Sequence, residues 1–182
     1  MIGNILYAVT IPVRAFLICG LASAGLLAAA HLFERVGGLA PCALCLDQRE
    51  VHWVALAVFV LVRGVIVLTN STRALMIGLV LMVLVFGYST WLSGYHAGVE
   101  WKWWPGPETC SATTDLSGPI NPLDALDDTV VPCTEAAWRL LGISMAGYNF
   151  LASLGLMLLA GIGAWRSLRP ADVALAGDDV NT

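Results

Sequence analysis

Four stretches of this chain are each long and apolar enough to cross about 30 Å of hydrocarbon as a helix. They run over about 11–33, 46–68, 74–92 and 145–165. Arg14 and Arg63 lie near the ends of such stretches, where a long side chain can reach the interface. Only 12% of the 182 residues are charged, against about 25% in an ordinary soluble domain. Mean hydropathy is +0.79. The chain is therefore expected to be an integral membrane protein: an all-α bundle of four transmembrane helices forming one domain over residues 1–182. The net charge of −4 argues against nucleic acid as a partner, and the three histidines are too scattered to suggest a metal cluster.

The first stretch contains Ala28-Ala29-Ala30, small residues of the kind found at cleavage sites, but its apolar run is long and no positive charge precedes Arg14. It is expected to remain as a span, because signal peptides have a charged start and a shorter apolar core. The turn Thr69-Asn70-Ser71-Thr72-Arg73 separates spans two and three, leaving two larger loops at about 34–45 and 94–144 on the other side. The termini side holds Arg14, Arg63, Arg73, Arg166 and Arg169; the loop side holds Arg35, Arg49, Lys102 and Arg139. That bias points weakly to cytoplasmic termini. The cysteines point the same way: Cys42, Cys45, Cys110 and Cys133 all fall on the loop side, and disulfides persist where the compartment is oxidising.

The second loop opens with Gly94-Tyr95-His96 and Trp101-Lys102-Trp103-Trp104, an interfacial aromatic belt by composition. It continues through Pro105, Pro107, Pro119, Pro122 and Pro132 with Asp115, Asp124, Asp127 and Asp128, a composition that resists long regular structure. Loops of this length are usually functional or disordered, and the two cysteines favour function. Ala137, Trp138, Leu140 and Leu141 predict a short amphipathic helix over Thr134–Leu141, lying on the membrane surface before Gly142 turns the chain into span four.

Five cysteines make two pairs plus one. Cys19, mid-span, is expected to behave as a small apolar residue. Cys42-x-x-Cys45 admits a structural disulfide, half of a zinc site or a redox pair. Zinc wants four closely spaced ligands and there is no second such motif; a c-type haem would need histidine where Leu46 stands. Redox use is the leading reading. Arg49 strengthens it: on a helix starting near Cys45 the two are i and i+4 and share a face. A guanidinium there favours a thiolate and offers fixed donors to a carbonyl oxygen, the alternative being an arginine that only reaches to the interface. His96 stands at the outer end of span three, and His52 one turn beyond Arg49, where packing within the bundle is the favoured role. Nothing selects Glu50 or Glu100 for proton uptake.

Cys42-Ala43-Leu44-Cys45-Leu46-Asp47-Gln48-Arg49 resembles the CxxCxx[EQ]R signature of the disulfide-bond formation protein B (DsbB) family. The similarity continues in Tyr95-His96-Ala97-Gly98-Val99-Glu100, a proline before Cys110, and Cys133-Thr134-Glu135-Ala136-Ala137-Trp138-Arg139-Leu140-Leu141-Gly142. It covers nearly the whole chain. Gln48 stands where some members carry glutamate, and the Cys110–Cys133 loop is of a kind whose length varies in the family.

The resemblance implies a membrane protein-disulfide:quinone oxidoreductase of the bacterial inner membrane, with cytoplasmic termini and periplasmic loops. Its partner would be a periplasmic thioredoxin-fold oxidase of the DsbA type. That partner's thiolate would attack the Cys110–Cys133 disulfide, most readily at Cys110. Cys133 would attack the Cys42–Cys45 pair at Cys42, and Cys45 would leave as a thiolate beside bound quinone, ubiquinone or menaquinone. Arg49, His96 and Cys45 would form the quinone site. A DsbA-type oxidant lies near −120 mV, so its reoxidation needs an acceptor of still higher potential, which a quinone pool can supply. Other readings are a relative with one dedicated client, an enzyme resembling vitamin K epoxide reductase, and a non-enzymatic scaffold whose disulfides only staple its loops.

Overall fold

The computed structural model describes residues 10–110 and 132–169. Its frame is four helices, α1 (Pro12–Arg35), α2 (Ala43–Thr69), α3 (Thr72–Glu100) and α4 (Met145–Arg166), each long and apolar enough to cross a membrane. The proline- and aspartate-rich centre of the second loop, with Pro119, Pro122, Asp115, Asp124, Asp127 and Asp128, lies outside the described residues.

Helix ends follow from local chemistry. Pro12 occupies the first turn of α1, where its missing N–H costs nothing. Ser71 caps α3 and Ser144 caps α4 by accepting backbone N–H groups from Ala74 and Gly147. Asn70 closes α2 in the left-handed conformation at φ 50°, which makes the α2–α3 turn tight. α3 runs on to Glu100, eight residues past the end at Leu92 expected from hydropathy. Gly94 and Gly98 do not break it, because side chains pack over both: Phe150 over Gly94 and Trp104 over Gly98. Trp104 also donates from Nε1 to the Tyr95 carbonyl (3.0 Å), while the Tyr95 hydroxyl donates to that of Pro105 (3.1 Å). The expected aromatic belt is thus a stacked ladder, Tyr88–Trp91–Tyr95–Trp104, folded onto the outside of α3.

The expected helix over Thr134–Leu141 is not formed. Residues 139–144 instead make a tight hairpin, β1 (Arg139–Leu140) pairing antiparallel with β2 (Ile143–Ser144). Leu141 (φ 51°) and Gly142 (φ 82°) are both left-handed, as the favoured two-residue hairpin turn requires. The apolar spacing that suggested a helix serves two different surfaces. Trp138 packs on Phe33 and Tyr148, whereas Leu141 points away from the protein. Gly142 does turn the chain into α4.

Two apolar clusters fill the bundle. One, toward the α2–α3 turn, centres on Phe16, Cys19, Ile66, Leu79, Met82, Phe86 and Ala160. Cys19 is unpaired and fully buried there. Small residues bring the helices close: a Cβ at Gly163 would come within 2.9 Å of the Ala15 side chain, and one at Gly78 within 2.9 Å of Phe16. The second cluster, at the opposite end, joins Leu44, Val51, Leu92 and Val99 to Cys42, Cys110 and Cys133. Leu61, Leu68, Leu84 and Leu158 are exposed on the outside, as lipid-facing positions should be.

Candidate active site

Two disulfides meet at the open end of the bundle. Cys42 caps α2: its sulfur accepts the Cys45 N–H at 3.2 Å, and the two cysteines are bonded with Cα atoms 5.0 Å apart. A two-residue spacing at a helix start puts both sulfurs on the first turn, so the motif closes without disturbing the helix. Cys110 ends a 3-10 turn (Glu108–Cys110) and is bonded to Cys133, Cα atoms 5.2 Å apart. The second pair is not held out in the loop. Cys110 and Cys133 are both buried among residues of α2 and α3, and the donor atoms of Cys42, His96 and Cys133 all lie within 4.8 Å of one another. Both sulfurs are committed to disulfides and offer no thiolate to a metal.

His96 sits between the two pairs. Its Nε2 is 3.7 Å from Cys42 Sγ and 3.8 Å from a Glu100 carboxylate oxygen, and the ring also hydrogen-bonds the Cys133 backbone. Its Nδ1 meets Gln48 Nε2 at 2.7 Å. Gln48 in turn accepts from Asn149 Nδ2 (2.7 Å), and Asn149 Oδ1 meets His52 Nε2 at 2.8 Å. His52 therefore has a polar partner rather than the purely packing role that was favoured for it.

Beneath Cys42 and Cys45 opens a cavity of about 320 Å³. Leu26, Leu27, Phe33, Trp138 and Met145 make its walls apolar; Gln48, Arg49, His52, His96, Glu100 and Asn149 supply the polar groups. Arg49 and Cys45 share the cavity, as their i, i+4 spacing anticipated. The guanidinium does not stand alone, however: it pairs with Glu34 at the end of α1 and reaches the Ala30 carbonyl at 3.4 Å. His31 approaches the same carboxylate at 3.8 Å.

Of the site residues expected from sequence, Cys42, Cys45, Arg49 and His96 line this one cavity, and Cys110 and Cys133 are buried in the same cluster as Cys42. Glu100 also lines it, whereas Glu50 is exposed. Glu34 and Asn149 were missed. Asn149 carried a signal, since a lone amide within an apolar span is costly unless it has a job. Glu34, at a span end, carried none.

The model of the family described as DsbB, disulfide bond formation protein DsbB, matches residues 12–163, which include every residue of this site. The chain belongs to the DsbB family. It is similar to the disulfide bond formation protein B of Dechloromonas aromatica, 34% identical over 82% of this chain and 91% of that one. That of Polaromonas sp. is 30% identical over 84% and 90%, and that of Albidiferax ferrireducens 30% over 85% and 88%. No solved structure matches the chain significantly. Membership makes the protein a multi-pass membrane disulfide oxidoreductase, and a scaffold merely stapled by its disulfides is set aside.

Proposed function

We propose that the whole chain works as one unit in the bacterial inner membrane, termini cytoplasmic and cysteine loops periplasmic, to reoxidise a DsbA-type thioredoxin-fold oxidase and pass the electrons to membrane quinone. The observation that carries this is the convergence of the two disulfides over one apolar cavity, with the Cys42 and Cys133 sulfurs within 4.8 Å. Stapling needs no such approach; exchange does.

The cavity suits a quinone ring. It is lined mostly by apolar side chains, and on its wall stand the Arg49 guanidinium, a donor suited to a carbonyl oxygen, and the His96 imidazole. Bound quinone, ubiquinone or menaquinone, supplies the two-electron acceptor. Arg49 would hold it by a charged hydrogen bond, and Cys45, on the cavity wall, would present sulfur to it. The relatives' shared name, disulfide bond formation protein B, supports the same direction of electron flow.

The thiol steps balance as follows. The partner's thiolate attacks Cys110, a bond forms between them, and Cys133 leaves with the electron pair. Cys133 attacks Cys42 Sγ, the Cys133–Cys42 bond forms, and Cys45 leaves as a thiolate facing the cavity beside Arg49. The partner's second thiol then releases Cys110, which attacks Cys133, re-forms the loop disulfide and frees Cys42 as a thiolate.

The test is trapping. With Cys133→Ser, the reduced partner should accumulate as a mixed disulfide on Cys110; with Cys110→Ser it should not. In parallel, wild-type protein given reduced partner and quinone should bleach the quinone absorbance, and Cys42→Ser should not turn over. Equal trapping through either cysteine, or no quinone loss in wild type, would overturn the proposal.

A further inference from the structure

We infer that Asn149, acting through Gln48, fixes His96 as the tautomer carrying its proton on Nε2, so that one ring N–H is shared between the Cys133 backbone and the Cys42 sulfur. The inference rests on the exchange role proposed for Cys42.

The direction of the chain follows from what each atom can do. An amide nitrogen only donates and an amide oxygen only accepts. Asn149 Nδ2 donates to Gln48 Oε1 at 2.7 Å. That fixes the far end of the Gln48 amide: its Nε2 is the atom at His96 Nδ1, also 2.7 Å away. A donor-only atom there requires a lone pair on Nδ1, so the neutral ring carries its proton on Nε2. Nε2 is the atom 3.7 Å from Cys42 Sγ.

Two donors hold the other end. His52 Nε2 (2.8 Å) and the Ser153 hydroxyl (3.4 Å) both converge on Asn149 Oδ1, and Ser153 is itself paired with Ser89 at 2.8 Å. Reversing the whole chain would make His52 Nε2 the acceptor and move its proton to Nδ1. That atom is buried without a hydrogen-bond partner among the described residues, and an orphaned buried donor is costly. Gln48 and His52 lie one turn apart on α2, Asn149 on α4 and His96 on α3, so the chain ties three helices to one tautomer. Amide nitrogens keep their hydrogens, so the chain orients and does not conduct protons. Gln48, Asn149 and His52 are positioning residues.

The consequence falls on the return step. Cys110 thiolate attacks Cys133 Sγ; the Cys110–Cys133 bond forms, the Cys133–Cys42 bond breaks, and Cys42 departs with the electron pair. An Nε2–H beside it stabilises the leaving thiolate without proton transfer, whereas the other tautomer would set a lone pair against it.

Long-range proton–nitrogen spectra of histidine-labelled, fully oxidised protein in detergent read the tautomer directly, with His96→Gln assigning the signals. Wild type should show a protonated Nε2 and an unprotonated Nδ1 at His96. Asn149→Leu frees the Gln48 amide to rotate, so the signals should move toward a tautomer average. Release of Cys42 should slow about tenfold, the low end for loss of an orienting partner. If Asn149→Leu does not fold, His52→Phe removes the donor at the far end and should shift the tautomer in the same direction. A wild-type ring protonated on Nδ1, or a tautomer indifferent to both variants, overturns the inference. Neither result involves turnover, so cysteine trapping still decides the proposed function separately.

Discussion

Arg49 offers the clearest quantitative test of the cavity. Its guanidinium lines the cavity wall and its side chain is only 14% exposed, with Glu34 and the Ala30 carbonyl holding it from the α1 side. The donors not used by Glu34 and Ala30 are available to a quinone carbonyl. A charged hydrogen bond contributes about 1.5–3 kcal/mol, and every 1.4 kcal/mol is about tenfold in affinity. Arg49→Ala should therefore raise the quinone KM about 10- to 100-fold, toward the upper end because water has little access. Arg49→Lys should lose less, since it keeps the charge but not the planar fork. Glu34→Ala should give a clearly smaller rise, because the carboxylate is itself partly exposed and only anchors the arginine. Glu34→Gln, which keeps an acceptor in place, should cost least. Steady-state quinone reduction at saturating reduced partner measures all four. An unchanged KM in Arg49→Ala would reassign the arginine to interfacial packing. A lowered KM in Glu34→Ala would show that the acid competes with quinone for the guanidinium.

Single-cysteine variants made in a background lacking the native thiols should label at position 37 and not at position 71 with an impermeant reagent applied from the periplasmic side; labelling at 71 would invert the proposed topology. Gly98→Ala should loosen the aromatic ladder, because a Cβ there would run into the Trp104 ring and break its hydrogen bond to Tyr95. Overpacking of this kind costs about 1–3 kcal/mol against a helix-propensity gain of about 1 kcal/mol, so the melting temperature in detergent should fall and the tryptophan emission should shift to the red. Unchanged melting and emission would mean that Trp104 has another place to pack.

The four helices were legible because each is a long apolar run, and nothing else in the chain competes with that signal. Their ends were less so. Hydropathy ended α3 at Leu92 and handed Tyr95 and His96 to a loop, yet the helix continues because Trp104 folds back over Gly98, a contact no local pattern announces. The hairpin at 139–144 was misread for a different reason. Trp138, Leu140 and Leu141 have helical spacing, but they do not share a face: Leu141 adopts positive φ at a turn and points out, while Trp138 closes the cavity against Phe33. Cys42, Cys45 and Arg49 were legible as neighbours because the CxxC spacing and the i, i+4 relation are local geometry; His96, on another helix, joined them only through the family resemblance. Glu34 and Asn149 come from other helices, and only packing brings them there.

That packing also explains how polar chemistry can sit at a membrane surface. Toward the α2–α3 turn the bundle core is apolar, relieved by serines such as Ser89 and Ser153 that bond to each other. At the cysteine end it is threaded by amides and imidazoles, almost every atom of which has a partner. Oxidised cysteines carry no charge, so burying two disulfides there costs little desolvation. In the proposed exchange the sulfurs become charged only as they leave, and a donor is at hand on each side: Arg49 shares the cavity wall with Cys45, and His96 lies beside Cys42. A site arranged in this way is apolar enough at rest to hold a lipid-soluble acceptor.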